Sequence, residues 1–153
     1  MPAGAGTNLR RSIAAVIIIG GTNLGAQAAP NPVGRWLTED HGGVIEIAPC
    51  GDALCGRIVG MIEPVRPDGT MQADVKGRPK CGLTILQGAT ETEPGRWSGR
   101  ITNPDDGTDW GCVLSVDAAG RLRLRGYLLL PVLGQTQTWT PYSGPLSADC
   151  RMG

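Results

Sequence analysis

From residue 34 onward, apolar and polar residues alternate in short runs broken by turn residues, and few stretches keep apolar side chains at helical spacing. The pattern predicts strands over Gly34–Thr38, Gly43–Ala48, Cys55–Ile62, Trp97–Thr102, Trp110–Val116, Arg121–Leu129 and Gln135–Thr140. Glu39–Gly42, Cys50–Leu54, Asn103–Gly107 and Asp117–Gly120 join them with residues that tolerate turn geometry. Consecutive hairpins imply an antiparallel meander. Within it Trp97, Gly99 and Ile101, and likewise Cys112, Leu114 and Val116, share one side of a strand, as a half-buried wall requires. Pro64–Lys80 breaks the rhythm and reads as a surface excursion, after which Cys81–Leu86 resumes a strand or makes one helical turn. So many short strands on so small a chain must close or sandwich, because open sheet edges invite aggregation. The simpler solution is an all-β, small, closed, antiparallel up-and-down barrel.

The N-terminus changes the picture of where this barrel works. Arg10 and Arg11 precede a short apolar run, Ile13–Ile19, and then Ala26-Gln27-Ala28, which predicts a secretory signal peptide over residues 1–28. The run is well short of the roughly 18 apolar residues that span a bilayer. Arg-Arg-Ser-Ile fits either an ordinary basic region or twin-arginine export. The expected product is a single domain, residues 29–153, in the periplasm or secreted. Cleavage removes Arg10 and Arg11 and no acid, so 14 basic and 14 acidic residues become 12 and 14, a formal charge of −2. Such a chain lacks the basic footprint of a nucleic-acid binder and has no membrane span.

In an exported chain the five cysteines imply bridges rather than a thiol metal site. Cys50 and Cys55 flank a short turn and predict one bridge. For the second, the expected pair is Cys81 with Cys112, which leaves Cys150 free or intermolecular; the competing pairing of Cys150 with either of them would tie down the tail.

The residues also carry a resemblance. Gly34-Arg35-Trp36 resembles the G-x-W start of lipocalin-like, or calycin, barrels, in which the tryptophan plugs one end under a basic residue. Together with GDALCGRIV from Gly51, CGLTIL from Cys81, WSGRI from Trp97, NPDDG from Asn103, LRLRGY from Leu122 and TQTW from Thr136, the chain is similar over roughly residues 32–140 to an exported bacterial family called domain of unknown function 2147. The resemblance implies a small periplasmic lipocalin-like barrel and no established activity. The chain departs from the family pattern at Trp110, where tyrosine is common, and in its cysteines.

Candidate chemistry is sparse. NPDDGTDWGC, Asn103–Cys112, gathers Asp105, Asp106 and Asp109, yet its spacing does not fit a calcium loop and no Glu follows. Pro104, Asp105, Asp106 and Gly107 instead suit a tight corner. The lone His41 beside Glu39 and Asp40 lies in a polar turn without a nucleophile, so no catalytic, metal or cofactor site is expected. Arg121, Arg123, Arg125 and Tyr127 alternate with Leu122 and Leu124, and Arg125-Gly126-Tyr127 resembles the R-x-Y carboxylate clamp of fatty-acid-binding barrels. The competing reading puts the leucines in the core and the arginines outside, or assigns Arg125 to cover Trp36. The ligand-binding candidates are Arg123, Arg125, Tyr127 and Trp139. Two functions follow: non-enzymatic binding of a small, partly apolar ligand, neutral or anionic, in the barrel mouth, or a periplasmic protein-interaction factor such as a protease inhibitor or envelope-assembly protein. The second would use an apolar loop such as Leu128–Leu133, which otherwise covers the barrel end.

Overall fold

The computed structural model describes residues 29–153, so the signal peptide expected over residues 1–28 lies outside the described residues. Eight strands follow in order: β1 (Gly34–Leu37), β2 (Gly43–Cys50), β3 (Ala53–Met61), β4 (Thr84–Glu93), β5 (Arg96–Thr102), β6 (Asp109–Val116), β7 (Leu122–Tyr127) and β8 (Gln135–Pro141), with one 3-10 turn, Pro131–Leu133, before β8. Each strand pairs antiparallel with the next, and β8 returns to β1, so the sheet closes in sequence order.

The closure follows from alternation. Ile45 and Ile47 of β2, Cys112 and Leu114 of β6, and Leu122 and Leu124 of β7 are buried inside, while Arg35, Glu46 and Arg57 stay on the outer wall. There Glu46 accepts from both arginines, at 3.1 Å and 2.7 Å, which holds its carboxyl below the usual range. Each fully buried aliphatic side chain contributes about 1.5–3 kcal/mol relative to an exposed one. Interior space is tight where β3 meets β4: a Cβ at Gly56 would lie 2.9 Å from Leu86.

The two ends differ. Residues before β1 run beneath the end carrying the β4–β5 turn, where Ala29 lies against Gly95. The Trp36 indole points to that side, only 6% exposed, and its Nε1 donates to the Pro32 carbonyl at 2.8 Å. This end is therefore plugged. The opposite end, framed by the β1–β2 turn, the excursion between β3 and β4, the β5–β6 corner and the 3-10 turn, is the mouth.

Three expectations need correction. The segment after Cys81 becomes a ten-residue strand, Thr84–Glu93, extending well past Leu86. Its register shifts between Gln87 and Thr90 around Gly88, whose φ is 61°, and only Ile85, Leu86 and Ala89 are buried, so the alternation is broken. The strand expected to reach Leu129 ends at Tyr127. The second disulfide joins Cys81 to Cys150, beside the Cys50–Cys55 bridge, and leaves Cys112 free. Cys112 faces the barrel interior at 0% exposure, whereas Cys150 belongs to a tail laid along β3. In that tail the Met61 amide donates to Cys150 O (2.7 Å) and the Met152 amide to Met61 O (3.1 Å). Leu146 and Met152 cover Val44 and Gly60, where an added Cβ would come within 2.8 Å of Leu146.

Burial pushes the Cys112 thiol up to about 11, so it stays protonated at neutral pH. The folded protein is therefore expected to give no reaction with a thiol reagent at pH 8, and one equivalent in denaturant without reductant. A fast-reacting thiol in the folded state would overturn this bridge assignment.

Candidate functional site: the barrel mouth

Three of the four loops framing the mouth are held by a carboxylate bonding its own backbone, as short polar side chains do in turns. In the β1–β2 turn Asp40 accepts from the Thr38 hydroxyl (2.6 Å) and the Gly42 amide (3.0 Å), and the Thr38 bond first of all keeps its carboxyl below the ordinary value. His41 stands exposed at the tip with φ 59°. In the excursion, burial alone would raise the Asp74 carboxyl. The Arg78 amide (2.8 Å), the Arg78 guanidinium (2.8 Å) and the Lys76 amide (2.9 Å) outweigh that and leave it lowered.

NPDDGTDWGC forms the β5–β6 corner. Asn103 Oδ1 accepts from the Asp105 amide (2.9 Å), Asp106 Oδ1 from the Thr108 amide (2.8 Å), and Gly107 takes φ 76°. Asp109 accepts from the Thr102 hydroxyl and pairs with Arg100 (3.3 Å), while the Asp105 carboxylate receives Lys80 Nζ. Among the described residues no group of three or more His, Cys, Asp or Glu side chains is placed to hold a metal.

Between these loops lie two adjoining recesses. One, of about 410 Å³, is walled by Ile101, Trp110, Leu124 and Trp139, with polar contributions from Asp40, Thr102, Asn103, Gln135 and Gln137. The other, of about 480 Å³, has Ile45, Ile58 and Met61 as apolar walls and also takes in Glu39, Glu63, Lys80 and Asp105. Asp40, Ile85, Pro104 and Gln137 belong to both. The Trp139 indole is buried at the inner side, and its Nε1 donates to Gln137 Oε1 at 2.9 Å. Gly126 opens onto the first recess, and a Cβ added there would meet no atom within 4 Å.

The arginines lie elsewhere. The alternation that buries Leu122 and Leu124 turns Arg123, Arg125 and Tyr127 to the outer wall. Arg123 donates to the Thr138 hydroxyl (2.7 Å), and Arg125 to the Thr136 hydroxyl (3.0 Å) and the Val132 carbonyl (2.9 Å). The carboxylate clamp expected of Arg125 and Tyr127 thus does not face the cavity. Nor does Arg125 cover Trp36, because Arg125 aligns with Thr136 and Trp36 with Pro141, at opposite ends of β8. Arg121 bonds Asp117 in the β6–β7 turn (2.9 Å). Of the four ligand candidates only Trp139 faces the mouth.

Sequence reasoning did not single out Asp40, Gln135, Gln137 or Ile85 as mouth residues. The usable hint was Gln135 and Gln137, which alternate in phase with inward Trp139, since polar residues on the inner face near a strand end mark space rather than packing. Leu128, Leu129, Leu130, Val132 and Leu133, beside the mouth, are between 56% and 84% exposed, so this loop does not cover the barrel end.

Among solved structures the chain is similar to the Helicobacter pylori protein HP1028, described as belonging to the lipocalin family, with 17% identity and a TM-score of 0.59 over 72% of this chain and 82% of that one. This likeness supports the lipocalin-like barrel. No curated protein matches the chain in sequence. The family model described as "Uncharacterized protein conserved in bacteria (DUF2147)" matches residues 34–141, over the whole meander from β1 to β8, and the chain belongs to that family.

Proposed function

We propose that this protein is a non-enzymatic carrier that holds a small, partly apolar molecule in the mouth of its barrel, in the periplasm or outside the cell. The observation that carries this reading is the pair of adjoining recesses with apolar walls at one end of a barrel whose other end Trp36 fills. Their volumes lie in the range of roughly 300–1,000 Å³ usual for small-molecule sites, and a few convergent polar groups would orient the ligand. Two disulfides and a bacterial family agree with export.

The neutral dye N-phenyl-1-naphthylamine is expected to bind wild type with enhanced fluorescence, and Gly126→Phe, whose Cβ would meet no atom within 4 Å and whose ring would take up space in the recess, should weaken that binding at least about tenfold, the loss of roughly 1.4 kcal/mol. Equal binding by the two proteins, both folded by circular dichroism, would sink the reading. The exposed Leu128–Leu133 loop favours a second reading, docking to an envelope protein such as a protease or assembly factor. Native mass spectrometry of protein purified from its own compartment separates the two. A carrier retains a small molecule, and an interaction factor a second polypeptide.

A further inference from the structure

Resting on the carrier reading, we propose that the mouth selects amphiphiles with a cationic head group, an ammonium on an apolar tail, and disfavours fatty-acid-like anions. Among the described residues, the charged side chains lining the two recesses are Glu39, Asp40, Glu63 and Asp105 against Lys80. Lys80, with only 16% of its side chain exposed, is already held by Asp105. Among the described residues no second cation lines either recess; Arg123 and Arg125 occupy the outer wall and donate to Thr138, Thr136 and Val132. A carboxylate head group entering either recess would therefore meet like charge, and the guanidinium groups of the neighbouring recess, Arg78 and Arg100, are paired with Asp74 and Asp109.

An ammonium meets the opposite situation. Asp40 borders both recesses, and its two hydrogen bonds fix the carboxylate at the lip of the apolar wall. The 410 Å³ recess that it borders includes Trp110 and Trp139, whose ring faces attract cations lying over them. Gln135 and Gln137 add amide oxygens in the same recess. A tail thus has aliphatic walls to occupy while its positive end stays within reach of carboxylate, indole and amide. Because the acids are exposed, each attraction is a surface one of at most about fivefold, and several must act together.

The test uses three probes with the same ten-carbon tail, decylammonium, decanol and decanoate, each displacing N-phenyl-1-naphthylamine from the folded protein at pH 7 and low salt. Decylammonium is expected to bind about tenfold tighter than decanoate, and the gap should fall below about threefold in 0.5 M salt. In the isosteric double variant Asp40→Asn with Glu63→Gln the same gap should close. Decanoate binding as tightly as decylammonium, or an undiminished preference in the double variant, overturns the cation assignment. Displacement by decanol without charge preference would leave the carrier reading standing and remove only this inference. Failure of the dye and all three probes to bind would remove both.

Discussion

Replacing Trp36 by alanine is expected to destabilise the protein by about 3–5 kcal/mol, the range for deleting a large buried aromatic whose site cannot collapse. The indole is 6% exposed, and its Nε1 bond to Pro32 holds the leading segment beneath the barrel. The variant therefore leaves a cavity at the plugged end and also frees the chain that closes it. Urea unfolding followed by the fluorescence of the remaining tryptophans measures the loss. Trp36→Phe should be milder, since it keeps most of the buried ring and loses the hydrogen bond. A loss below about 1 kcal/mol for the alanine variant would show that Trp36 is not the plug.

The second large effect lies in the long-range bridge. Cys81 and Cys150 are 69 residues apart, and in the chain-entropy model a loop of that length constrains the unfolded chain by about 4 kcal/mol, against about 2 kcal/mol for the loop closed by Cys50–Cys55. Changing Cys81 and Cys150 together to serine should therefore cost roughly twice as much as the same change at Cys50 and Cys55. It should also loosen the tail, so that Leu146 and Met152 no longer shield Val44 and Gly60. Denaturation midpoints of the two double variants give the comparison. If the short-loop variant proves the less stable, the tail is not held as described.

Local pattern carried the barrel and stopped short of its contents. Most strands were legible because inward apolar residues keep a period of two, as in Leu122, Leu124 and their outward arginines, and that same alternation already told against a clamp facing inward. β4 was poorly legible because Gly88 interrupts its phase and its far end, Thr90–Glu93, is exposed on both faces. Turn chemistry read well at Asn103–Gly107, where the bonds that shape the turn are made within a few residues. The partner of Cys81 did not, since spacing says nothing about residues brought together by tail docking. The mouth was least legible of all. It assembles Asp40, Ile85, Pro104 and Gln137 from widely separated segments, and only closure of the sheet makes them neighbours.

Closure itself is uneven. β1 and β8 share just two aligned positions, Trp36 with Pro141 and Leu37 with Thr140, and beyond them the Thr138 amide is taken by the Glu39 side chain at 3.2 Å instead of by backbone. Like a cask with one short stave, the cylinder is expected to part most cheaply along that seam.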